Sequence, residues 1–167
     1  AIARPSIVMG ESDSGWTPAF NVLYWPLRAF SRGLFDEIPA LPSAHVDVVP
    51  VDYVADGLVR LLDVEDQGVF NLVAGRDAPF ANELVELACD RFDRPRPAVV
   101  RDGGPDDDEH GAVYMPYFDM EVVFDDARAR AALGGLRPPR VAEFFNTLMD
   151  YAEETRWGKR SMTREEA

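Results

Sequence analysis

The side chains able to do chemistry in this sequence are mostly acids, with Asp+Glu 30 against Lys+Arg 17 and a formal net charge of −13. Carboxylate pairs such as Asp47 with Asp52, or Asp119 with Glu121, have the types that divide acid and base roles in hydrolysis, yet nothing in their setting selects one pair. The run Asp102-Gly103-Gly104-Pro105-Asp106-Asp107-Asp108-Glu109-His110 raises the question of a divalent cation. Its glycines do not fall where a calcium loop needs them and no second ligand cluster accompanies it, so it reads as a solvated loop. His45 precedes an apolar strand and His110 lies in the acidic run, and both read as structural or solvent-facing. The one cysteine, Cys89, has neither a disulfide partner in the chain nor zinc-ligand spacing. No Gly-x-Ser-x-Gly elbow and no close glycine cluster for a pyrophosphate is present. Tyr24 is followed four residues later by Arg28, and Tyr53, Tyr114, Tyr117 and Tyr151 by Gly57, Phe118, Glu121 and Thr155, so no Tyr-x-x-x-Lys pair exists. No catalytic residue and no metal site is assigned.

The elements that would position a site come from the apolar pattern. Ile2 to Met9 reads as a buried strand ending at Gly10, and ligands of open α/β sheets collect beyond such strand ends, so Gly10 to Trp16 is a candidate rim. Thr17-Pro18 suits a helix start, and Phe20, Leu23, Tyr24, Leu27, Phe30 and Leu34 share one helical face, with a kink expected at Pro26. Val46 to Val49 reads as a second strand, followed by a helix over 53–63 capped by Asp52. Val69 to Val73 is a third strand, and Leu84, Val85, Ala88 and Phe92 mark a helix beginning near Pro79 to Asn82. Ala98 to Val100 suggests one more strand. Asp125 or Asp126 can cap a short helix stopped by Gly134-Gly135, and Val141, Phe144, Phe145, Leu148 and Ala152 mark the last helix. Strand and helix alternate, as α/β packing requires. The acidic balance argues against nonspecific nucleic-acid binding and against anionic membrane surfaces. With no signal-like or membrane-spanning stretch and a lone cysteine, a cytoplasmic setting is expected.

Arg4-Pro5-Ser6-Ile7-Val8-Met9-Gly10, Gly15-Trp16, Val49-Pro50-Val51-Asp52-Tyr53-Val54-Ala55-Asp56 and Phe70-Asn71-Leu72, in that order, carry a resemblance. They resemble the C-terminal part of extended short-chain dehydrogenases/reductases, and within them the thioester reductase and fatty acyl-CoA reductase branch, also called the male-sterility type. The resemblance implies an α/β fold, the C-terminal portion of a Rossmann-like reductase with its substrate-binding lobe over residues 1–158, followed by a charged tail over 159–167. It implies that Pro5, Ser6 and Ile7 border the nicotinamide end of an NADP or NAD cofactor. It further implies that Gly10, Trp16, Asn21, Tyr24 and Trp25 face an acyl thioester, bound to coenzyme A or a carrier protein. Asp52 resembles the family's helix cap. The family's glycine-rich loop and catalytic Tyr-Lys pair belong upstream of residue 1, so this chain alone is expected to be inactive and to bind no cofactor. A nucleotide-sugar epimerase or dehydratase-like member of the same superfamily, or a non-catalytic interaction module, is the alternative. Self-association through an exposed strand edge or the aromatic helix is expected.

Overall fold

The computed structural model describes residues 1–20, 22–100, 118–119 and 121–167. Its elements run β1 (Ile2–Pro5), β2 (Ile7–Met9), α1 (Tyr24–Ser31), β3 (Glu37–Pro39), β4 (Val48–Pro50), α2 (Val51–Leu61), β5 (Val69–Leu72), a single 3-10 turn (Gly75–Asp77), α3 (Ala81–Phe92), β6 (Ala98–Val100), α4 (Ala127–Ala132) and α5 (Val141–Glu154). They divide into two compact units, one of Ala1–Ala19, Asp47–Ala78 and Val123–Ala167, the other of Phe20–Val46 and Pro79–Val122.

In the first unit the expected strand over Ile2 to Met9 is two strands with different partners. β1 lies parallel to β5, from Ile2 opposite Val69 to Pro5 opposite Leu72, whereas β2 lies parallel to β4, from Ile7 opposite Val48 to Met9 opposite Pro50. The exchange falls between adjacent residues: Ser6 N donates to Leu72 O at 3.3 Å and Ile7 N donates to Asp47 O at 3.2 Å. A short apolar run cannot by itself tell one continuous ladder from two. Pro50 closes β4 and, with its extended ψ of 153°, serves as the N-cap of α2, which therefore begins at Val51 rather than at residue 53. Gly57 lets this helix approach β5 closely, since a β-carbon there would stand 3.0 Å from the Leu72 side chain. Val49, Tyr53, Val54, Leu61, Phe70, Leu72, Ala129 and Leu133 form the core between these elements. Burying each large side chain in such a core contributes roughly 1.5–3 kcal/mol.

The last two helices follow the sequence pattern. Asp125 accepts the Ala127 N–H at 2.9 Å at the start of α4, while Asp126, at the N-cap position, makes no capping bond. Gly134 and Gly135, at φ +68° and +80°, turn the chain after it. α5 starts after Pro138-Pro139 and buries Phe144, Phe145, Leu148, Met149, Tyr151 and Ala152. It ends at Glu154, where Thr155 Oγ1 donates to Tyr151 O at 2.7 Å.

The second unit corrects one expectation outright. α1 does not start at Thr17-Pro18 but at Tyr24, and Pro26 lies in its first turn instead of kinking a longer helix. In a first turn the missing N–H has no intrahelical acceptor to lose, so proline is tolerated there. Thr17 instead forms a local turn, its Oγ1 donating to Ala19 O at 2.9 Å. α1 packs on α3, with the Phe30 and Phe92 rings 6.4 Å apart. β3 lies parallel to β6, with Glu37 opposite Ala98, and was not visible in the sequence because three residues carry no periodicity. α3 opens with Glu83 accepting the Phe80 N–H at 2.7 Å and closes on Asp93 in the left-handed region. The acidic run over 102–110, with His110, lies outside the described residues.

Candidate functional site

The end of β2 feeds a loop whose geometry is over-determined by close contacts. Gly10 is buried, and a β-carbon on it would come within 2.4 Å of Gly15 O. Gly15, at φ +73°, packs so tightly on α5 that a β-carbon would meet Thr147 O at 2.4 Å and the Tyr151 β-carbon at 2.8 Å. Both positions admit only glycine for this steric reason. The loop closes on itself, with Glu11 N donating to Trp16 O and Gly15 N to Glu11 O, each at 2.9 Å.

Two carboxylates hold this loop and the turn beyond β5. Asp52 stands in the first turn of α2, and the expectation that it caps the helix is not met: its Oδ1 accepts the Ser12 N–H at 2.9 Å and its Oδ2 the Ser12 hydroxyl at 2.7 Å. Because α2 begins before it, its side chain is free to reach the loop. Asp47 is buried and accepts the Ala74 and Gly75 N–H groups, both at 2.8 Å. Charge-assisted bonds of this kind satisfy donors that would otherwise be buried without partners. Both acids are thus committed to positioning backbone, which removes them as an acid and base pair. Glu121 is likewise engaged, accepting the Ser43 hydroxyl at 2.7 Å. Glu11 accepts the Ser14 hydroxyl at 2.9 Å and pairs with Arg164 at 2.5 Å. From the sequence, Glu11 and Ser12 lay in the candidate rim without being singled out, and Asp47 was named only as half of an unselected acid and base pair. The signal was the serine- and glycine-rich loop set against acids at the starts of β4 and α2.

The sequence-selected residues fall as follows. Pro5 ends β1 and is exposed, Ser6 is half-buried between the strands, and Ile7 opens β2. Ser6 Oγ is buried and, among the described residues, has no hydrogen-bond partner. A hydroxyl in that condition carries a desolvation cost that a bound polar group would relieve. Gly10 and Trp16 sit on the loop of the first unit, and Trp16 is half-buried. Tyr24 and Trp25 belong to the second unit. Tyr24 is 1% exposed, with its ring edge-on to Phe20 at 4.9 Å, so it serves the core there. Trp25 is half-buried and meets Phe35 edge-on at 6.3 Å. Asn21 lies outside the described residues.

Titration behaviour separates structural from reactive groups. Burial raises the Tyr53 hydroxyl to about 12, with Asp126 and Asp47 pushing the same way and Arg130 opposing. A tyrosine that donates a proton near neutrality needs the opposite shift, so Tyr53 is a packing residue with a neutral hydroxyl. Burial also pushes the Cys89 thiol up, away from nucleophilic use. His45 packs its ring 4.6 Å from Phe80. Among the described residues no group of three or more His, Cys, Asp or Glu could hold a metal ion, and no helix is long and apolar enough to cross a membrane.

Residues 1–58 match the family described as male sterility protein. The whole chain is similar in structure to the terminal R domain from the myxalamid PKS-NRPS biosynthetic pathway, with a TM-score of 0.70 and 23% identity over 96% of this chain and 45% of that one. It is also similar to UDP-glucose 4-epimerase from Thermotoga maritima, solved with UDP-glucose, at a TM-score of 0.63 and 21% identity over 92% of this chain and 45% of that one. UDP-glucuronic acid 4-epimerase from Bacillus cereus, in complex with NAD, gives 0.64 and 12% identity over 92% and 44%. No curated protein matches the chain. The chain therefore spans less than half the length of these structures. Over at least 92% of its length the chain shares the fold of these structures, and its first 58 residues match the male sterility protein family.

Proposed function

We propose that this chain is the substrate-side portion of a nicotinamide-dependent reductase acting on an acyl thioester. The match of residues 1–58 to the male sterility family carries the reading, because that segment contains both the strand exchange at Ser6 and the loop held by Asp52. In this reading Pro5, Ser6 and Ile7 border the nicotinamide end of the cofactor, and the unpartnered Ser6 Oγ is the polar atom available to it. The bound reduced nicotinamide supplies hydride. The residues of this chain orient and enclose the substrate: Asp52 fixes the loop through Ser12, and Gly10 and Gly15 keep its backbone close. In this reading Trp16 and Trp25 are each apolar side chains offered to an acyl chain. The sequence has no Tyr-x-x-x-Lys pair to protonate the carbonyl oxygen, so in this reading that proton is not supplied by such a pair of this chain. The likeness to the Thermotoga maritima UDP-glucose 4-epimerase favours a second reading, a nucleotide-sugar enzyme of the same fold.

Binding of acyl thioesters of increasing chain length to the wild type and to Trp25→Ala tests the role of Trp25. The substitution should weaken long chains more than short ones, by about 0.8 kcal/mol for each methylene whose burial is lost. Equal losses at every length would place Trp25 in the packing of Phe35 alone and remove it from the site.

A further inference from the structure

The acids of this chain neutralise several of its arginines: Arg96 pairs with Glu86, Arg128 with Asp66 and Arg130 with Asp126. Arg28, midway along α1, is a different case. Its Nε is buried and, among the described residues, has no hydrogen-bond or ion-pair partner. Arg32, one turn later at the end of the same helix, is exposed, and among the described residues its guanidinium has no partner. Spacings of three and four residues set Trp25, Arg28 and Arg32 on one side of α1. A third guanidinium joins them at the helix end, where Arg94 donates through Nε at 3.2 Å and Nη2 at 2.8 Å to Ser31 O.

Like charges one turn apart repel, and a buried guanidinium N–H without an acceptor costs more than an exposed one. In a chain of net charge −13 the absence of a carboxylate partner among the described residues leaves this cluster open to an external anion. Guanidinium groups match the oxygens of phosphate in forked geometry, and several converging cations suit a phosphate better than a single carboxylate. We propose that the C-terminal turn of α1 binds a phosphate group, with Arg28 as the central ligand and Arg32 and Arg94 beside it. Resting on the reductase reading above, this phosphate belongs to the pantetheine arm that carries the acyl thioester, from coenzyme A or from a carrier protein.

Two measurements on the full chain separate this proposal from the reading beneath it. In thermal unfolding, inorganic phosphate should raise the midpoint of the wild type and leave that of Arg28→Met unmoved, while R28M without phosphate should melt higher than the wild type because an unsatisfied donor is gone. In calorimetric titration, phosphopantetheine should bind about tenfold more tightly than pantetheine, and R28M should abolish the difference. Coenzyme A binding more tightly than phosphopantetheine, again only with Arg28 present, would identify the nucleotide end as the source of the phosphate. If R28M does not fold, the exposed Arg32→Gln should show the same loss in smaller measure. Phosphate stabilisation without any pantetheine binding would retain the anion site and remove the thioester reading. No phosphate effect in the wild type, or an equal effect in R28M, would overturn the proposal.

Discussion

Asp47 and Asp52 show how a carboxylate's role depends on what reaches it first. Both look available for proton transfer in the sequence, and both are taken up by N–H and O–H donors in the structure. Asp47→Ala would leave the Ala74 and Gly75 N–H groups buried without an acceptor, and should destabilise the fold by about 2–4 kcal/mol in denaturant titration. Asp52→Ala removes bonds to a loop that is only partly buried, and should cost about 1–2 kcal/mol while loosening Gly10 to Trp16. Amide exchange in that loop should rise with Asp52→Ala and stay unchanged if the aspartate merely favoured the helix dipole. Gly15→Ala meets both a left-handed backbone and the Thr147 carbonyl, so a loss of at least about 2 kcal/mol is expected. Tyr53 gives a pH signature. Its proton is held to about 12 in the folded chain and is released near 10 in the unfolded chain, so the unfolded state binds fewer protons between those values. Stability must therefore fall as pH rises from about 10 to 12, by up to about 2 kcal/mol for this group, and Tyr53→Phe should remove that part of the fall in unfolding measured across the range.

At the scale of elements, α3, α4 and α5 were legible because their apolar spacing and stop signals agree, as with Leu84, Val85 and Ala88, or Gly134 and Gly135. The start of α1 was misread because Phe20 and Leu23 continue the helical spacing backward, while the turn at Thr17 and the place of Pro26 in the first turn depend on packing. β3 and the exchange of partners at Ser6 were hidden for a different reason: strand pairing is a long-range relation that no local pattern encodes. At the candidate site, Pro5 to Ile7 and Gly10 to Trp16 were selected through the resemblance and the strand end. Arg28 was missed because an arginine between apolar residues looks like an ordinary helix surface until its missing partner is visible. Edge behaviour belongs to this scale as well. Among the described residues β1 pairs with β5 alone, and Ile2 is 56% exposed. A strand edge of that kind recruits another chain, so light scattering at high concentration should report a dimer or larger assembly. A strictly monomeric mass would remove the edge as an interaction surface.

For the whole molecule, the chain spans less than half the length of the solved structures it resembles. It holds no glycine cluster for a pyrophosphate and no Tyr-x-x-x-Lys pair. Calorimetric titration of this chain with NADPH or NADH should therefore show no saturable binding tighter than about 100 μM, roughly −5.5 kcal/mol. In the proposed reading Ser6 would offer the nicotinamide an edge, and the sequence has no glycine cluster for the phosphates. The reductase and epimerase readings differ in what becomes of the cofactor over a complete turnover: reduction consumes it, whereas epimerisation returns it to its starting oxidation state. The central claim is tested most directly by following nicotinamide absorbance in a protein that carries this segment together with a cofactor-binding half, supplied with an acyl thioester or with a UDP-sugar. Stoichiometric oxidation of NADPH or NADH with the thioester, yielding aldehyde or alcohol, is the predicted result, and conversion of the sugar with no net consumption of cofactor, alongside inertness toward thioesters, would contradict it.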